Sequence, residues 1–152
     1  MKAIKTFRDL LSFFTVIPLG KTEDFVVTSA ESMFLFPLVG AFIGLLGAAY
    51  FLACGFLLSH LLAFINSIIH IPTEFLLKLA PATMTLAFLL VLTGLQHFDG
   101  LVDLGNAISL ENMEKRRAAA HVWTVTYKGA FLAISIEFLA VLGLFFLNVD
   151  FA

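Results

Sequence analysis

Residues 33–59, "MFLFPLVGAFIGLLGAAYFLACGFLLS", contain no charged side chain. An α-helix rises about 1.5 Å per residue, so this stretch is long enough to cross a bilayer core of about 30 Å. The chain of 152 residues is 61% hydrophobic and only 13% charged, whereas soluble domains carry about 25% charged residues. Because this apolar excess is too large for a buried core alone, we expect an all-α, polytopic integral membrane helical bundle.

Two further apolar stretches predict membrane spans at residues 79–96 and 129–149. Pro81 lies near the start of the first of these, where a helix tolerates proline. Glu137 is the one charged residue in the second. Intramembrane acids usually act in function or in helix pairing, but the sequence shows no partner for this one. Residues 60–78 are mixed in character, and a short return helix there is left open.

Residues 1–20, "MKAIKTFRDLLSFFTVIPLG", begin like a signal peptide, with basic residues before an apolar piece. Arg8 and Asp9 interrupt the pattern and no small-residue cleavage site follows, so we reject that interpretation. The apolar piece is too short to span a bilayer. We predict an interfacial helix that ends near Pro18, within a single membrane domain over residues 1–152.

Small residues in the first span have two interpretations. Three glycines follow one another at steps of four and three: Gly40, Gly44 and Gly47. Such spacing lets membrane helices approach closely, but it is also common in apolar sequence, and both interpretations stay open. Cys54, the only cysteine, cannot form an intrachain disulfide and is expected to be a buried, inert thiol.

Basic residues indicate the orientation of the chain. Four precede the first span and four lie between the second and third, while the segment between the first and second contains only Lys78. The two basic groups are Lys2, Lys5, Arg8 and Lys21, and Lys115, Arg116, Arg117 and Lys128. We therefore expect the N-terminus and residues 97–128 to face the cytoplasm from a cell (inner) membrane. The net charge of −2 argues against a nucleic-acid partner.

Residues 92–107, "LTGLQHFDGLVDLGNA", place two carboxylates at the edge of the second span. If this segment is helical, Asp99 and Asp103 lie about 40° apart on the helix surface, and Asn106 lies about 20° to the other side of Asp99. Two close carboxylates repel each other unless a cation or protons compensate. Such hard oxygen ligands suit Mg²⁺, which takes one or two carboxylates together with substrate phosphates. The alternative is a solvated helix end with no ligand.

Other residues around this pair also have alternative interpretations. His97 lies about 160° from Asp99, so a local hydrogen-bonding role is favoured over metal ligation. Arg116 and Arg117 either bind phosphate or only satisfy the charge bias of a cytoplasmic loop. Three glycines weaken the helix and leave room for a bulky ligand near the backbone: Gly94, Gly100 and Gly105.

The stretch at 92–107 resembles the signature of adenosylcobinamide-GDP ribazoletransferases, also called cobalamin-5′-phosphate synthases. Those membrane enzymes carry H-x-D-G-L-x-D-x-x-[DN]-A after an L-T-G turn. Two further stretches agree in order and spacing, "FFTVIP" at 13–18 and "FPLVGAFIG" at 36–44, and "EKRRAAA" at 114–120 falls where the family has a basic helix start. The resemblance is specific because three motifs carry it in order along the chain, between residues 13 and 107.

The resemblance implies a Mg²⁺-dependent phosphotransfer that joins α-ribazole, or its 5′-phosphate, to adenosylcobinamide-GDP and releases GMP. Asp99 and Asp103 would be catalytic and would hold the metal together with Asn106. The expected substrate-binding residues are His97, Gly100, Asn106, Arg116, Arg117 and Glu31. The partners are then the two substrates and the lipid bilayer, and the oligomeric state is left open.

The chain departs from the family pattern after the basic segment, where Trp123 stands near an expected Asp. Family chains are also substantially longer, so we expect a truncated or divergent member. One alternative is a CDP-alcohol phosphotransferase, but "DGLVDLGNAIS" at 99–109 lacks the A-R that this class needs after D-G. An inactive fragment or a non-catalytic membrane partner is the other alternative.

Overall fold

The apolar stretch that begins at Met33 forms one continuous helix in the computed structural model, which describes residues 2–20, 32–70, 72–108, 110–119, 125–147 and 149. The helices are α1 (Lys2–Phe14), α2 (Phe36–Asn66), α3 (Thr73–Leu92), α4 (Gln96–Ile108), α5 (Met113–Ala119) and α6 (Tyr127–Phe145), and a 3-10 turn, Met33–Leu35, precedes α2. Within these described ranges no strand is present. In the part of the chain that the structure describes, three helices, α2 with its preceding turn, α3 and α6, are long and apolar enough to cross a membrane. The predicted all-α membrane bundle is confirmed.

Helix α2 is longer than the predicted span of residues 33–59. Its 31 residues correspond to a length of about 46 Å, more than the bilayer core requires. A separate return helix within residues 60–78 is not formed, because residues 60–66 continue α2 and α3 begins at Thr73. The physical reason is that no glycine or proline interrupts the sequence between Gly55 and Pro72.

Helices α2 and α3 form a hairpin with aromatic and small residues at its contact. The ring of Tyr50 stacks on that of Phe88 with centroids 4.4 Å apart and planes 6° from parallel. A Cβ added at Gly47 would lie 3.1 Å from a methyl carbon of Leu89, whereas one added at Gly40 or Gly44 would meet nothing within 4 Å. Of the three spaced glycines, only Gly47 therefore makes the close helix approach.

Pro81 lies inside α3 and not near its start, which corrects the sequence-based expectation. The helix begins earlier than predicted, at Thr73, because the polar first turn with Glu74 continues directly into the apolar stretch. Proline has no N–H and leaves one helical carbonyl without its usual donor. Membrane helices tolerate this where neighbouring helices cover the site, and Pro81 is fully buried.

Helix α1 docks on the end of the hairpin where α2 begins and α3 ends. Leu10 and Leu11 pack with Val39 of α2 in a buried cluster. The helix ends at Phe14 and not near Pro18, because the N–H of Val16 donates to the carbonyl of Leu92, at 2.8 Å, in place of a helical carbonyl. The interfacial location of α1 stays a prediction.

Helix α6 begins and ends earlier than the predicted span of residues 129–149. Thr126 caps it, with its hydroxyl oxygen accepting from the N–H of Gly129 at 3.2 Å. At the other end the ring of Phe145 lies against that of Phe75 at the start of α3, with centroids 5.8 Å apart. Helix α6 thus closes the bundle against both α3 and α4.

Cysteine labelling tests the predicted orientation. In a Cys54→Ala background, Glu111→Cys, near the end of α4, is expected to react with a membrane-impermeant maleimide only in inside-out vesicles. Ile69→Cys, in the exposed turn between α2 and α3, is expected to react only from the opposite side. The reverse pattern, or labelling of both positions from one side, would contradict the prediction.

Candidate active site

A turn of unusual backbone conformation connects α3 to α4 and explains the L-T-G sequence. Gly94 and Leu95 have φ angles of +61° and +62°, in the left-handed region. Glycine adopts this conformation easily, whereas a leucine there is strained and needs the surrounding structure to hold it. The N–H of Leu95 donates to the carbonyl of Leu90 at 2.8 Å, and Thr93 Oγ1 donates to the carbonyl of Leu89 at 2.9 Å. The direction in which α4 leaves the hairpin is therefore set by this turn.

Asp99 and Asp103 lie one turn apart on α4, as the sequence predicted. Asp99 is exposed and Asp103 is half-buried, while Val102, Gly105 and Asn106 of the same helix are buried. Among the described residues neither carboxylate is in an ion pair. Two such carboxylates are a ligand set that suits Mg²⁺, because this ion usually binds one or two carboxylates and completes its coordination shell with water and phosphate oxygens.

Asn106 has a different environment from the two aspartates. Its side chain is 6% exposed, and its Oδ1 accepts hydrogen bonds from Thr126 Oγ1 at 2.5 Å and from the Thr126 N–H at 3.2 Å. That oxygen is the atom a metal would need, so the arrangement gives no support to Asn106 as a ligand. No group of three or more His, Cys, Asp or Glu side chains converges within the described residues either. The donor set that remains is the aspartate pair.

The three glycines of the motif have three different roles. Gly94 adopts the left-handed turn. Gly105 lies against α6, where an added Cβ would be 2.7 Å from the Cα of Gly129 and 2.9 Å from the carbonyl oxygen of Lys128. Only Gly100 is exposed with nothing within 4 Å of an added Cβ, so it alone leaves open space for a ligand.

A cavity of about 570 Å³ opens beside α4 on the side of His97 and Gly100. Its lining includes Phe14 of α1, His97, Gly100 and Leu101 of α4, and Ile136 and Glu137 of α6. The half-buried Glu137, unassigned from sequence, therefore lines the same cavity as three residues of the motif helix, His97, Gly100 and Leu101. The sequence signal for it was the lone charge in an apolar span.

The remaining predicted site residues are only partly placed. Arg116 and Arg117 are exposed on α5, and the Nε–H of Arg116 donates to the carbonyl of Leu110. Helix α5 packs on α4, so both arginines lie on the element next to the aspartate pair. Glu31 and Trp123 lie outside the described residues.

These features define a helical integral membrane protein with a pair of carboxylates on a short helix, α4, at one end of the α2–α3 hairpin. The chain matches the model of the cobalamin-5-phosphate synthase family over residues 6–149 and belongs to that family. The resemblance drawn from the sequence motifs is thereby confirmed.

One curated relative is the adenosylcobinamide-GDP ribazoletransferase of Picrophilus torridus, with 26% identity over 110 residues. The match covers 72% of this chain and 36% of that protein, so the chain spans about a third of its relative's length. No solved structure matches the chain.

Proposed function

We propose that this chain takes part in the transfer that joins α-ribazole, or its 5′-phosphate, to adenosylcobinamide-GDP with release of GMP. The observation that carries the proposal is the aspartate pair on α4, in the motif of a chain that belongs to the cobalamin-5-phosphate synthase family. The name of the Picrophilus torridus relative supports the same reaction. On the predicted orientation, this site faces the cytoplasm.

Asp99 and Asp103 are the proposed Mg²⁺ ligands. When bound, the cation supplies positive charge that offsets the negative charge of the phosphate oxygens. The exposed Asp99 is accessible to a large substrate, and Asp103 is half-buried. The two exposed arginines of α5 are the proposed contacts to the remaining phosphate oxygens.

The proposed reaction is a single displacement at phosphorus. A ribose hydroxyl oxygen of the ribazole other than the 5′ oxygen, and therefore free in the 5′-phosphate as well, forms a bond to the phosphorus that is attached to the corrinoid, and the bond from that phosphorus to the bridging oxygen breaks. GMP leaves with the bridging oxygen, and the hydroxyl proton passes to a carboxylate of the aspartate pair. Catalysis of this kind depends mostly on positioning and electrostatics, and the contact between α4 and α6 supplies the positioning.

The test is a proteoliposome assay with adenosylcobinamide-GDP, α-ribazole and Mg²⁺, in which GMP release is followed over time. GMP and the joined corrinoid are expected in equal amounts, and no CMP release is expected when CDP-activated alcohols replace the corrinoid. The Picrophilus torridus relative serves as the positive control. If that relative releases GMP while this chain releases none, the proposed activity of this chain is wrong.

A further inference from the structure

We propose that the cavity between α1, α4 and α6 binds the heteroaromatic base of the ribazole, with Glu137 and His97 as its polar contacts. The cavity is lined by Phe14, Gln96, His97, Gly100, Leu101, Ile136 and Glu137. The amide nitrogen of Gln96 already donates to the carbonyl of Phe13 at 3.0 Å. This inference rests on the proposed function, because it assigns one of the two substrates to a specific part of the bundle.

The walls of the cavity are mainly apolar and partly aromatic. Phe14 offers a ring face or edge, and Leu101 and Ile136 offer aliphatic surface. Aromatic side chains favour offset stacking and edge-to-face contacts with other flat rings. A flat, fused heteroaromatic ring system therefore suits this lining better than a sugar or a phosphate does.

Glu137 adds a specific polar requirement to this apolar lining. It is half-buried on a membrane-spanning helix, and no ion pair to it exists among the described residues. A carboxylate in such surroundings is costly unless a ligand or neighbour supplies a hydrogen-bond donor. A base with a protonated ring nitrogen, or a ribose hydroxyl beside it, supplies that donor, and His97 across the cavity can donate or accept.

The two substrates offer three candidate ligands for this cavity: the nucleoside, the corrinoid ring and the guanosine diphosphate part. Size and charge distinguish them. A volume of about 570 Å³ falls in the range of roughly 300–1,000 Å³ typical of sites for drug-sized ligands. A nucleoside fits such a volume, whereas the corrinoid ring with its side chains is much larger. The guanosine diphosphate part is anionic, and the Glu137 carboxylate would repel it. The uncharged base with its ribose is the part that both criteria allow, and a 5′-phosphate on it would lie outside the cavity.

Gly100 provides the connection from this cavity to the aspartate pair. On the helix surface His97 lies about 160° from Asp99, whereas Gly100 lies only about 60° from Asp103. Gly100 is exposed and has no side chain to obstruct a ligand. A nucleoside whose base fills the cavity can therefore pass its ribose across Gly100 toward the carboxylates.

Two variants and one matched control test this assignment. Glu137→Gln keeps the shape of the side chain and removes its charge. Gly100→Leu fills the passage without a clash, because nothing lies within 4 Å of the added Cβ. Gly143→Leu is the control, since it makes the same change on α6 at a site that is equally open and outside the cavity.

The measurements are equilibrium binding of radiolabelled α-ribazole to purified protein in detergent and the two KM values in the GMP-release assay. We expect Glu137→Gln and Gly100→Leu to weaken α-ribazole binding and to raise its KM about tenfold, or by 1.4 kcal/mol. The KM for adenosylcobinamide-GDP should stay within about twofold of wild type, since this assignment leaves the corrinoid outside the cavity. Gly143→Leu should match wild type in every measurement.

The outcomes distinguish this inference from the proposed function. Normal GMP release with unchanged α-ribazole affinity in both variants overturns the base assignment alone, as does a selective rise in the KM for the corrinoid. No GMP release from wild type, with α-ribazole binding that still depends on Glu137, overturns the proposed activity and supports the base assignment. Wild-type protein that binds no α-ribazole overturns the base assignment.

Discussion

Asp103→Asn is expected to lower the rate of GMP release by about 10²–10³-fold, and Asp99→Asn by a similar factor. Asparagine keeps the shape of each side chain but removes the negative charge that the proposed Mg²⁺ site needs. The measurement is the initial rate at saturating substrates over a series of Mg²⁺ concentrations. The loss should shrink as Mg²⁺ is raised, since a weakened site fills again at higher metal concentration.

The matched control for the aspartate variants is Glu111→Gln, which neutralises an exposed acid between α4 and α5. It is expected to change the rate by less than about twofold, because surface changes outside such sites have small effects. Near-normal turnover by Asp99→Asn and Asp103→Asn would show that the carboxylates are only a solvated face of the helix.

Gly129→Ala is expected to destabilise the protein by about 1–3 kcal/mol, although it adds a single methyl group. The new Cβ would fall on Oδ1 of Asn106 and 2.6 Å from the carbonyl oxygen of Val102. Backbone and a buried amide cannot move aside as a flexible side chain can, so α4 and α6 would have to separate. Thermal unfolding in detergent measures the loss, and GMP release should fall with it because α4 carries the aspartate pair.

Gly143→Ala is the control for this prediction. It makes the same substitution on the same helix at a position where nothing lies within 4 Å of the new Cβ. Alanine is the better helix former by up to about 1 kcal/mol, so this variant is expected to be as stable as wild type or more stable. Equal stability of the two variants would show that the close approach of α4 and α6 is not required.

The membrane-spanning class could be predicted from sequence because contact with lipid requires the lipid-facing side chains of a span to be uncharged. Residues 33–59 satisfy this requirement without exception, and the all-α class followed directly. The residues at which the helices end were harder to predict from the sequence. Nothing between Gly55 and Pro72 stops a helix, so where α2 ends depends on its turn into α3. The end of α1 at Phe14 depends on Leu92, which is remote in sequence.

The candidate site was predictable only where its residues share one helix. Helical periodicity placed Asp99 and Asp103 together because they are four residues apart. The same reasoning assigned Asn106 to them, since periodicity contains no information about Thr126, which lies 20 residues further along the chain. Glu137 was recognisable as unusual, but the fact that it lines one cavity with His97 follows from the packing of α6 on α4, a tertiary contact.

The hydrogen bonds between Asn106 and Thr126 also have a consequence for the segment that they enclose. Together with the contact of Gly105 and Gly129, they pin both ends of a loop that contains the basic helix α5. The packed helices hold the two ends of the loop together. Each doubling of the loop length raises the entropic cost of closing it by only about 0.6 kcal/mol. Changes in the length of this segment are therefore expected to cost little stability, whereas each span must keep its length to cross the bilayer.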